Sequence, residues 1–183
     1  MFTKAGKQAL QVVAIQPGEN SANNAKPMFP NSPVKNANGV DRWVSWINGA
    51  LYNTFNPQTA LTNSGVHFGS SDIAPSEDDY HLKEPITSGF NSSLVTSERG
   101  VDGTGKPYSV LSYTVTNRTS SNMTIKEIGI ITWNIVCCNS STATSASNDN
   151  ILVDRTVLNS PVIIEPNQTA TIRYKVTCSM TFA

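Results

Sequence analysis

The stretch TIKEIGIITW, residues 124–133, decides how the chain is expected to fold. Its alternation predicts a β-strand, in which successive side chains point to opposite faces. The residues on one face are Ile125, Glu127, Gly129, Ile131 and Trp133. The Glu127 carboxylate therefore lies among apolar side chains. Burying a lone charge is very costly, so Glu127 must be paired, hydrogen-bonded or placed at an interface.

The composition favours strands and turns over helices. Of the 183 residues, 38% are hydrophobic and only 14% are charged, against a usual charged fraction of about 25%. Asn, Ser and Thr replace the missing charge, and these residues compete with helical hydrogen bonds. A chain of this length suffices for one domain, or for one domain with an appendage.

The charges are balanced, with 13 basic and 13 acidic residues and a formal net charge of +0. No long basic run is present, so the electrostatic footprint of a nucleic-acid-binding protein is missing. No apolar run approaches the ~20 residues that span a bilayer. A near-neutral surface tolerates self-association. We therefore expect copies of the same chain as partners, and neither nucleic acid nor a membrane.

The cysteines and the N-terminal residues both favour a chain that is made and folded in a cytoplasm. Gln8 and Gln11 interrupt the N-terminal apolar stretch, which argues against a signal peptide. The odd count of cysteines, Cys137, Cys138 and Cys178, argues against a secreted disulfide framework. Adjacent cysteines do not fit the CxxC spacing of a zinc site. We expect the cysteines to act as small hydrophobic residues that are buried or half-buried.

Residues 1–60 are predicted to contain a short helix, a polar arm and aromatic strands. Thr3 is the expected N-cap of a helix over residues 2–15, which ends before Pro17 and Gly18. Residues 18–40 are rich in Asn, Pro and Gly, which is typical of an arm that is disordered or lies along a partner. Residues 41–55 then supply aromatic side chains in one or two strands.

Residues 61–183 are predicted to form an antiparallel β-sandwich, because short strands follow one another about every 8–12 residues without helices between them. Residues 110–135 resemble a hairpin around the turn RTSSN. The clearest strand is TATIRYKVTCSMTFA, in which Ile172 and Tyr174 face the core while Arg173 and Lys175 face water. The predicted fold class is all-β, with a short N-terminal helix and a long polar arm, in one structural domain overall.

The acidic segment APSEDDYHL predicts a single capped helical turn. Ser76 and Asp79 have the spacing of a capping box, with Asp in place of the usual Glu. Asp72, Glu77 and Asp78 complete an acidic cluster. The alternating ligands and central Gly of an EF-hand are missing, so we expect capping rather than a metal site.

The sequence contains no recognisable catalytic motif. The only histidines, His67 and His81, belong to no Ser or Cys nucleophile signature, although a triad that assembles in space stays open. GVDGTGKPYS resembles a P-loop, but Pro107 stands where Ser or Thr is needed, so a hairpin loop is expected. Glu127 and Glu165 form no recognisable glycosidase pair. The prediction is a protein that is not an enzyme and has no cofactor.

Four stretches together resemble structural proteins of tailed bacteriophages. FTKAGKQAL is similar to their T-x-A-G opening. FGSSDIAPSEDDYHLKEPI resembles their loop G-[ST]-G-[ST]-x-x-x-P-[ST]-x-x-D-Y-x-L, with Ser71 where a second Gly is common. YTVTNRTSSNMTIKEIGII is similar to their hairpin T-x-T-N-x-[ST]-x-x-x-x-T-I-x-E-I-G-[LI]. ILVDRTVLNSPVIIEPNQTATIRYKV resembles their end, L-x-x-R-x-x-x-x-P-[VI]-x-[LI] followed by Y-x-[VI].

These stretches cover most of the chain outside residues 18–60. The resemblance implies a virion component of the tail, neck, collar, baseplate or fibres, made in the host bacterial cytoplasm. It implies a β-rich fold, a role in assembly and no catalytic residues. Other virion structural proteins are then partners beside copies of the chain itself.

The resemblance suggests an answer for Glu127, which we expect to pair with an arginine at a junction that is critical for assembly. Arg155, on a neighbouring predicted strand, is the first choice, and Arg118 is the second. The alternative is that Glu127 lies in water at the rim of the sheet. Further structural or assembly candidates are Trp43, Trp46 and Trp133.

The leading functional hypothesis is a structural protein that forms a homo-oligomer on the tail, neck or baseplate, with its polar arm on a neighbouring subunit. A capsid decoration or head-fibre protein is an alternative in the same class. A carbohydrate- or receptor-binding module is an alternative of another class. In that case Trp43, Trp46 and Tyr52 would stack on a host-surface glycan, although we expect these aromatic side chains in the core.

Overall fold

The computed structural model describes residues 1–15, 27–47 and 65–177. This part of the chain is mostly β, with one short helix, α1 (Lys4–Ile15). Its strands are β1 (Val34–Lys35), β2 (Asp41–Ile47), β3 (Gly65–Gly69), β4 (Phe90–Val101), β5 (Pro107–Asn117), β6 (Met123–Cys138), β7 (Ala146–Ile164) and β8 (Thr169–Thr177). The pairings of β1 with β2, of β2 and β3 with β6, and of β4 and β8 with β5 are antiparallel. The predicted all-β class is confirmed.

The chain divides into two compact units. Unit 1 comprises Met1–Ile86 and Ile125–Val162, and unit 2 comprises Thr87–Thr124 and Ile163–Ala183. The polypeptide leaves unit 1 for unit 2, returns along β6, and leaves again at the end of β7. The sequence suggested a boundary near residue 60, whereas the two units alternate along the chain.

Unit 1 contains a five-stranded sheet with the strand order β1-β2-β6-β3, in which β7 also pairs with β6. Within it, the antiparallel pair of β1 and β2 and the antiparallel sheet of β2, β6 and β3 pack in a sandwich-like arrangement. The hydrophobic core of this unit includes Ala5, Ala9, Val34, Val44, Ile135, Val136, Cys137, Cys138, Ile151 and Val153. Both faces of β6 are buried near its middle, because Glu127 and Ile128 are each at most 1% exposed.

The helix α1 begins at the predicted cap. The hydroxyl of Thr3 accepts a hydrogen bond from Gly6 N–H at 3.0 Å, as an N-cap does. The same hydroxyl donates to Leu152 O at 2.5 Å, and Thr3 N–H donates to Val153 O at 3.1 Å. The start of α1 is therefore attached to β7.

Part of the predicted polar arm packs on its own chain. Met28 N–H donates to Val44 O at 2.9 Å, and Val34 is buried in the core. The Asn36 side chain is also buried and donates to Asp149 Oδ1 at 3.0 Å. Residues 27–40 thus belong to unit 1, and residues 18–26 lie outside the described ranges.

Unit 2 contains a three-stranded sheet with the order β4-β5-β8. The predicted hairpin over residues 110–135 is wrong, because β5 pairs with β4 and β8, while β6 pairs with strands of unit 1. Both edges of β5 are occupied, so the strand that follows it pairs elsewhere. Asn117 ends β5, and its side chain donates to Ser121 O at 2.7 Å and Ile164 O at 2.8 Å.

Two other predictions for unit 2 are confirmed. GVDGTGKPYS is a hairpin loop between β4 and β5, closed by a 2.9 Å hydrogen bond from Asp102 N–H to Lys106 O. In β8, Ile172 and Tyr174 are buried, whereas Arg173 and Lys175 are exposed. Residues 178–183 of that predicted strand lie outside the described ranges.

Candidate functional site

The most distinctive site of unit 1 is a buried ionic network around Arg155. This side chain of β7 is 0% exposed. Its Nε donates to Glu127 Oε2 at 2.7 Å, and its Nη1 donates to Asp79 Oδ2 at 2.9 Å. The predicted pair of Glu127 and Arg155 is therefore confirmed. The placement of Glu127 at a wet rim is wrong, because its side chain is 0% exposed.

The guanidinium of Arg155 also binds two main-chain carbonyls. Nη2 donates to Ile73 O at 2.9 Å, and Nη1 donates to Ala74 O at 3.3 Å. A planar guanidinium presents five donors in a fixed fork, and here both carboxylates and both carbonyls are placed around it. Charge-assisted hydrogen bonds of this kind are roughly twice as strong as neutral ones.

Glu127 is fully hydrogen-bonded as well. Its Oε1 accepts Glu84 N–H at 2.8 Å, and its Oε2 accepts Lys83 N–H at 3.2 Å in addition to Arg155. A buried carboxylate with one cationic partner and two amide donors avoids the cost of an unpaired charge. The acid in the middle of TIKEIGIITW thus holds the chain around residue 84 against β6.

The space for the Glu127 carboxylate depends on Gly69. These two residues are opposite each other in the pairing of β3 with β6. A Cβ atom at position 69 would lie 2.4 Å from Glu127 Oε1 and 2.7 Å from Glu84 O. Only glycine leaves room for the carboxylate at this point of the sheet.

Residues 70–84 form a loop whose interior is occupied by the Arg155 guanidinium, and we call it the Arg155-anchored loop. Its ends are joined by a hydrogen bond from Ser70 N–H to Glu84 O at 2.9 Å. Next to this contact, Ile86 N–H donates to Phe68 O at 2.8 Å. A compact surface loop with adjacent ends is an Ω-loop, and in this one the filling side chain comes from β7.

Asp79 connects the capping turn to the ionic network. Its Oδ2 accepts Ser76 N–H at 2.8 Å, which confirms one half of the predicted capping box. The Ser76 hydroxyl instead accepts Asp78 N–H at 3.2 Å, and the segment is a hydrogen-bonded turn. Burial raises the pKa of the Asp79 carboxyl, but hydrogen bonds from Lys83, Ser76 N–H and Arg155 outweigh it, so the pKa lies below its usual value.

The network is balanced in charge. Lys83 Nζ lies 2.7 Å from Asp79 Oδ1, so two cations, Arg155 and Lys83, face two carboxylates. The sequence predicted the pair of Glu127 with Arg155 but not the contact of Asp79 with Arg155, because Asp79 was assigned to capping alone.

The other predicted candidates whose side chains the structure describes do not join this site. Arg118 is exposed in unit 2, and its N–H donates to Gly89 O at 2.8 Å. Trp43 packs against the core of unit 1, and its indole N–H donates to Pro30 O at 3.0 Å. The side chains of Trp46 and Trp133, and all of Tyr52, lie outside the described residues.

The remaining chemically reactive side chains are dispersed. His67 is half-buried in β3, and burial lowers its pKa. His81 packs edge-on against the Tyr80 ring. Cys137 and Cys138 are buried, as predicted, and burial raises the pKa of both thiols, while Cys178 lies outside the described ranges. Within residues 1–15, 27–47 and 65–177, no group of three or more His, Cys, Asp or Glu is placed to hold a metal ion.

The fold and the site define an all-β chain in which a buried ionic network holds a surface loop. No protein-family model, curated protein or solved structure matches the chain. The helix in the described part of the chain is not long and apolar enough to cross a membrane.

Proposed function

We propose that the chain is a structural component of a tailed-phage virion and assembles as a homo-oligomer on the tail, neck or baseplate. One observation carries this proposal. The four segments that resemble structural proteins of tailed phages are distant in sequence, yet residues from all of them meet in unit 1 around β7.

The charged residues that define these motifs contact one another. The loop motif supplies Asp79, the E-I-G motif supplies Glu127, and the L-x-x-R motif supplies Arg155. Arg155 binds both carboxylates within 2.9 Å. The opening motif supplies Thr3, which donates to Val153 O on the same strand as Arg155.

The apolar and small residues of these motifs also lie in contact. Leu82 of the loop motif and Leu152 of the final motif are at most 2% exposed. A Cβ atom at Gly129 would lie 2.8 Å from Leu82 Cδ2 and 3.0 Å from Leu152 Cδ1. Residues of all four segments thus lie in one folding unit, which supports reading the four resemblances as one pattern.

A fixed loop conformation suits an assembly role. Buried polar networks can specify one conformation at some cost in stability, and a component that fits between neighbours needs one defined surface. Balanced charge lowers repulsion between copies. The partners in this proposal are further copies of the chain and other virion structural proteins. The chain is made in the host cytoplasm and ends in the virion.

Quantitative mass spectrometry of purified virions tests the proposal, by counting copies of this chain per major capsid subunit. A small number that matches a multiple of the tail symmetry supports a place on the tail, neck or baseplate. A number comparable to the capsid protein supports a decoration or head-fibre protein instead. Absence from the particle contradicts the proposal.

The carbohydrate-binding alternative has less support. The indole N–H of Trp43 is bound to Pro30 O and its ring packs on the core, so this side chain is held away from the stacking role. A glycan array that compares wild type with Trp46→Ala tests the alternative. The proposal assigns no catalytic activity to the chain, and hydrolase activity abolished by His67→Ala would contradict it.

A further inference from the structure

We propose that one face of the unit 2 sheet binds the Arg155-anchored loop of a second copy of the chain. This inference rests on the homo-oligomer of the proposed function and names the surfaces that form it. We call the sheet surface the polar face. By the strand register it includes Asn91, Ser93, Thr96, Glu98, Val110, Ser112, Thr114, Thr116, Thr169, Thr171, Arg173 and Lys175. Val110 and Ser112, on the central strand, are buried.

The polar face follows from the register of the three strands. Thr114 is opposite Ser93 on β4 and opposite Thr171 on β8. The hydroxyls of Ser93 and Thr114 are hydrogen-bonded at 2.8 Å, and so are those of Thr116 and Thr169. Cross-strand pairs of this kind fix the side chains, so one half of the face is an ordered array of hydroxyls.

The other half of the polar face is basic. Arg173 and Lys175 are exposed on β8. Arg173 Nη2 reaches Glu98 Oε2 at 3.2 Å, and Lys175 Nζ lies 4.5 Å from the centre of the Tyr108 ring. Arg173 and Lys175 outnumber Glu98 here, and the adjoining hairpin loop adds one charge of each sign, Asp102, which interacts with Lys175, and Lys106. This half therefore keeps a net positive charge.

The two units carry opposite net charges. Unit 1 contains ten acidic and eight basic residues, and unit 2 contains three acidic and five basic residues. With neutral histidines at pH 7, their net charges are −2 and +2. The neutral total therefore conceals an asymmetry that attracts unit 1 of one copy to unit 2 of another.

The Arg155-anchored loop is where the negative charge of unit 1 is concentrated. It contains five acidic residues and one lysine. Its exposed acids are Asp72, Glu77, Asp78 and Glu84. Asp79 is neutralised inside the network, and Lys126 and Lys7 contact Asp72 and Glu77. The outer surface of the loop remains acidic, opposite in sign to the basic half of the polar face.

The loop is also organised before binding. Ile73 is 57% exposed, yet its carbonyl accepts a hydrogen bond from the buried Arg155. A surface already held in one conformation loses less entropy on association than a mobile one. Ile73 supplies an apolar contact amid the exposed acids, so the loop offers both charge and shape to a partner.

Because each copy carries both surfaces, the contact joins different patches of two copies. Such a head-to-tail contact closes into a ring or extends as a filament. An interface dominated by exposed charge is weakened by salt. We therefore expect the chain to associate at low salt and to dissociate as salt is raised.

Charge reversal tests the contact, with association measured by sedimentation velocity at low salt. One variant carries Glu77→Lys and Asp78→Lys on the loop. The other carries Arg173→Glu and Lys175→Glu on the polar face. Each variant alone presents two surfaces of like sign and is expected to associate about tenfold or more weakly than wild type. Mixed together, they present opposite signs at both contacts and are expected to recover association.

Arg99→Glu is the matched control, because Arg99 is an exposed charge of β4 that alternates with Glu98 and so lies on the opposite face of the sheet. It should associate like wild type, and circular dichroism shows whether every variant is folded. If the reversed variants are misfolded, the single changes Asp78→Asn and Lys175→Gln take their place, and each should weaken association. Wild type that stays monomeric at low salt, or mixed variants that stay apart, would overturn the proposal.

Failure of this contact can be distinguished from failure of the proposed function. A chain present in virions whose reversed variants fail to recover association loses only the assigned contact. A chain that recovers association but is absent from virions keeps the contact and loses the virion role.

Discussion

At the scale of residues, Arg155 and Glu127 depend on each other. Arg155 binds two carboxylates and two carbonyls, and Glu127 binds Arg155 and two amides. The sequence predicted this pair from three observations: the alternation of β6, the cost of burying a lone carboxylate and an arginine on a neighbouring predicted strand. It did not predict the carbonyls of Ile73 and Ala74 as acceptors, because main-chain groups carry no residue-specific signal.

Gly69→Ala should destabilise the protein by ~1–3 kcal/mol, the usual cost of adding atoms to a packed site. The new methyl group would lie 2.4 Å from Glu127 Oε1 and displace the carboxylate from Arg155. Urea denaturation measures the free energy of unfolding. The matched control is Gly103→Ala, where a Cβ atom meets nothing within 4 Å. Equal effects of the two changes would contradict the steric role of Gly69.

Asp79 should make stability depend on pH. Despite the opposing effect of burial, its hydrogen bonds from Lys83, Ser76 and Arg155 hold its pKa below the usual 3.8. Its stabilisation is therefore fully present above the unfolded-state pKa and is lost as the pH falls through that value toward the folded-state pKa. We expect the urea midpoint of wild type to fall more steeply than that of Asp79→Asn below about pH 4.

The comparison with Asp79→Asn removes the contribution of His67. Burial lowers the pKa of His67 below its usual 6.5. Its protonation therefore destabilises the folded state as the pH falls below 6.5, and it does so equally in both proteins. Parallel pH profiles of wild type and Asp79→Asn would show that Asp79 does not stabilise the folded state through its charge.

At the scale of elements, patterns within one segment were predicted well, whereas the pairing of strands was not. Alternation located β8 and its buried face, and Thr3 located the start of α1. The hairpin of β5 with β6 was wrong, because neighbouring strands in sequence pair in only about two-thirds of cases. The Arg155-anchored loop has no periodic pattern of its own, since its interior is filled by a residue about 80 positions further along the chain.

Arg155→Lys should mobilise the loop while keeping the charge. A lysine ammonium is a compact charge without the planar fork of a guanidinium, so it cannot bind the carboxylates and carbonyls together. Hydrogen–deuterium exchange should become faster across residues 70–86, including the amides of Lys83 and Glu84. Arg118→Lys, on an exposed arginine of unit 2, is the control and should leave this exchange unchanged. Unchanged exchange in Arg155→Lys would show that the loop is ordered by other contacts.

At the scale of the whole molecule, the division into two units was not predictable from composition. Each unit consists of two separate segments of the chain. A change in composition along the sequence can mark a boundary between neighbouring segments, but it cannot show that two distant segments fold together. The net charge of zero likewise gave no sign of the division, because it is the sum of opposite net charges on the two units. The proposed assembly uses this separation, with the acidic loop of unit 1 and the basic sheet of unit 2 on different copies.

Arg155 and Glu127 act as one buried unit that holds the loop on the folded chain, and a double-mutant cycle tests this coupling most directly. We expect Glu127→Ala and Arg155→Ala each to cost ~3–5 kcal/mol of unfolding free energy, because each removes one partner of a buried ion pair. Arg155→Ala leaves Glu127 without a cation, and Glu127→Ala leaves Arg155 and Lys83 facing Asp79 alone. The double variant should cost far less than the sum, since no unpaired charge remains. The exposed pair Glu98 and Arg173 is the control, with an expected coupling of ~0.2–1 kcal/mol. Additive costs at Glu127 and Arg155, or no cost at all, would contradict the account.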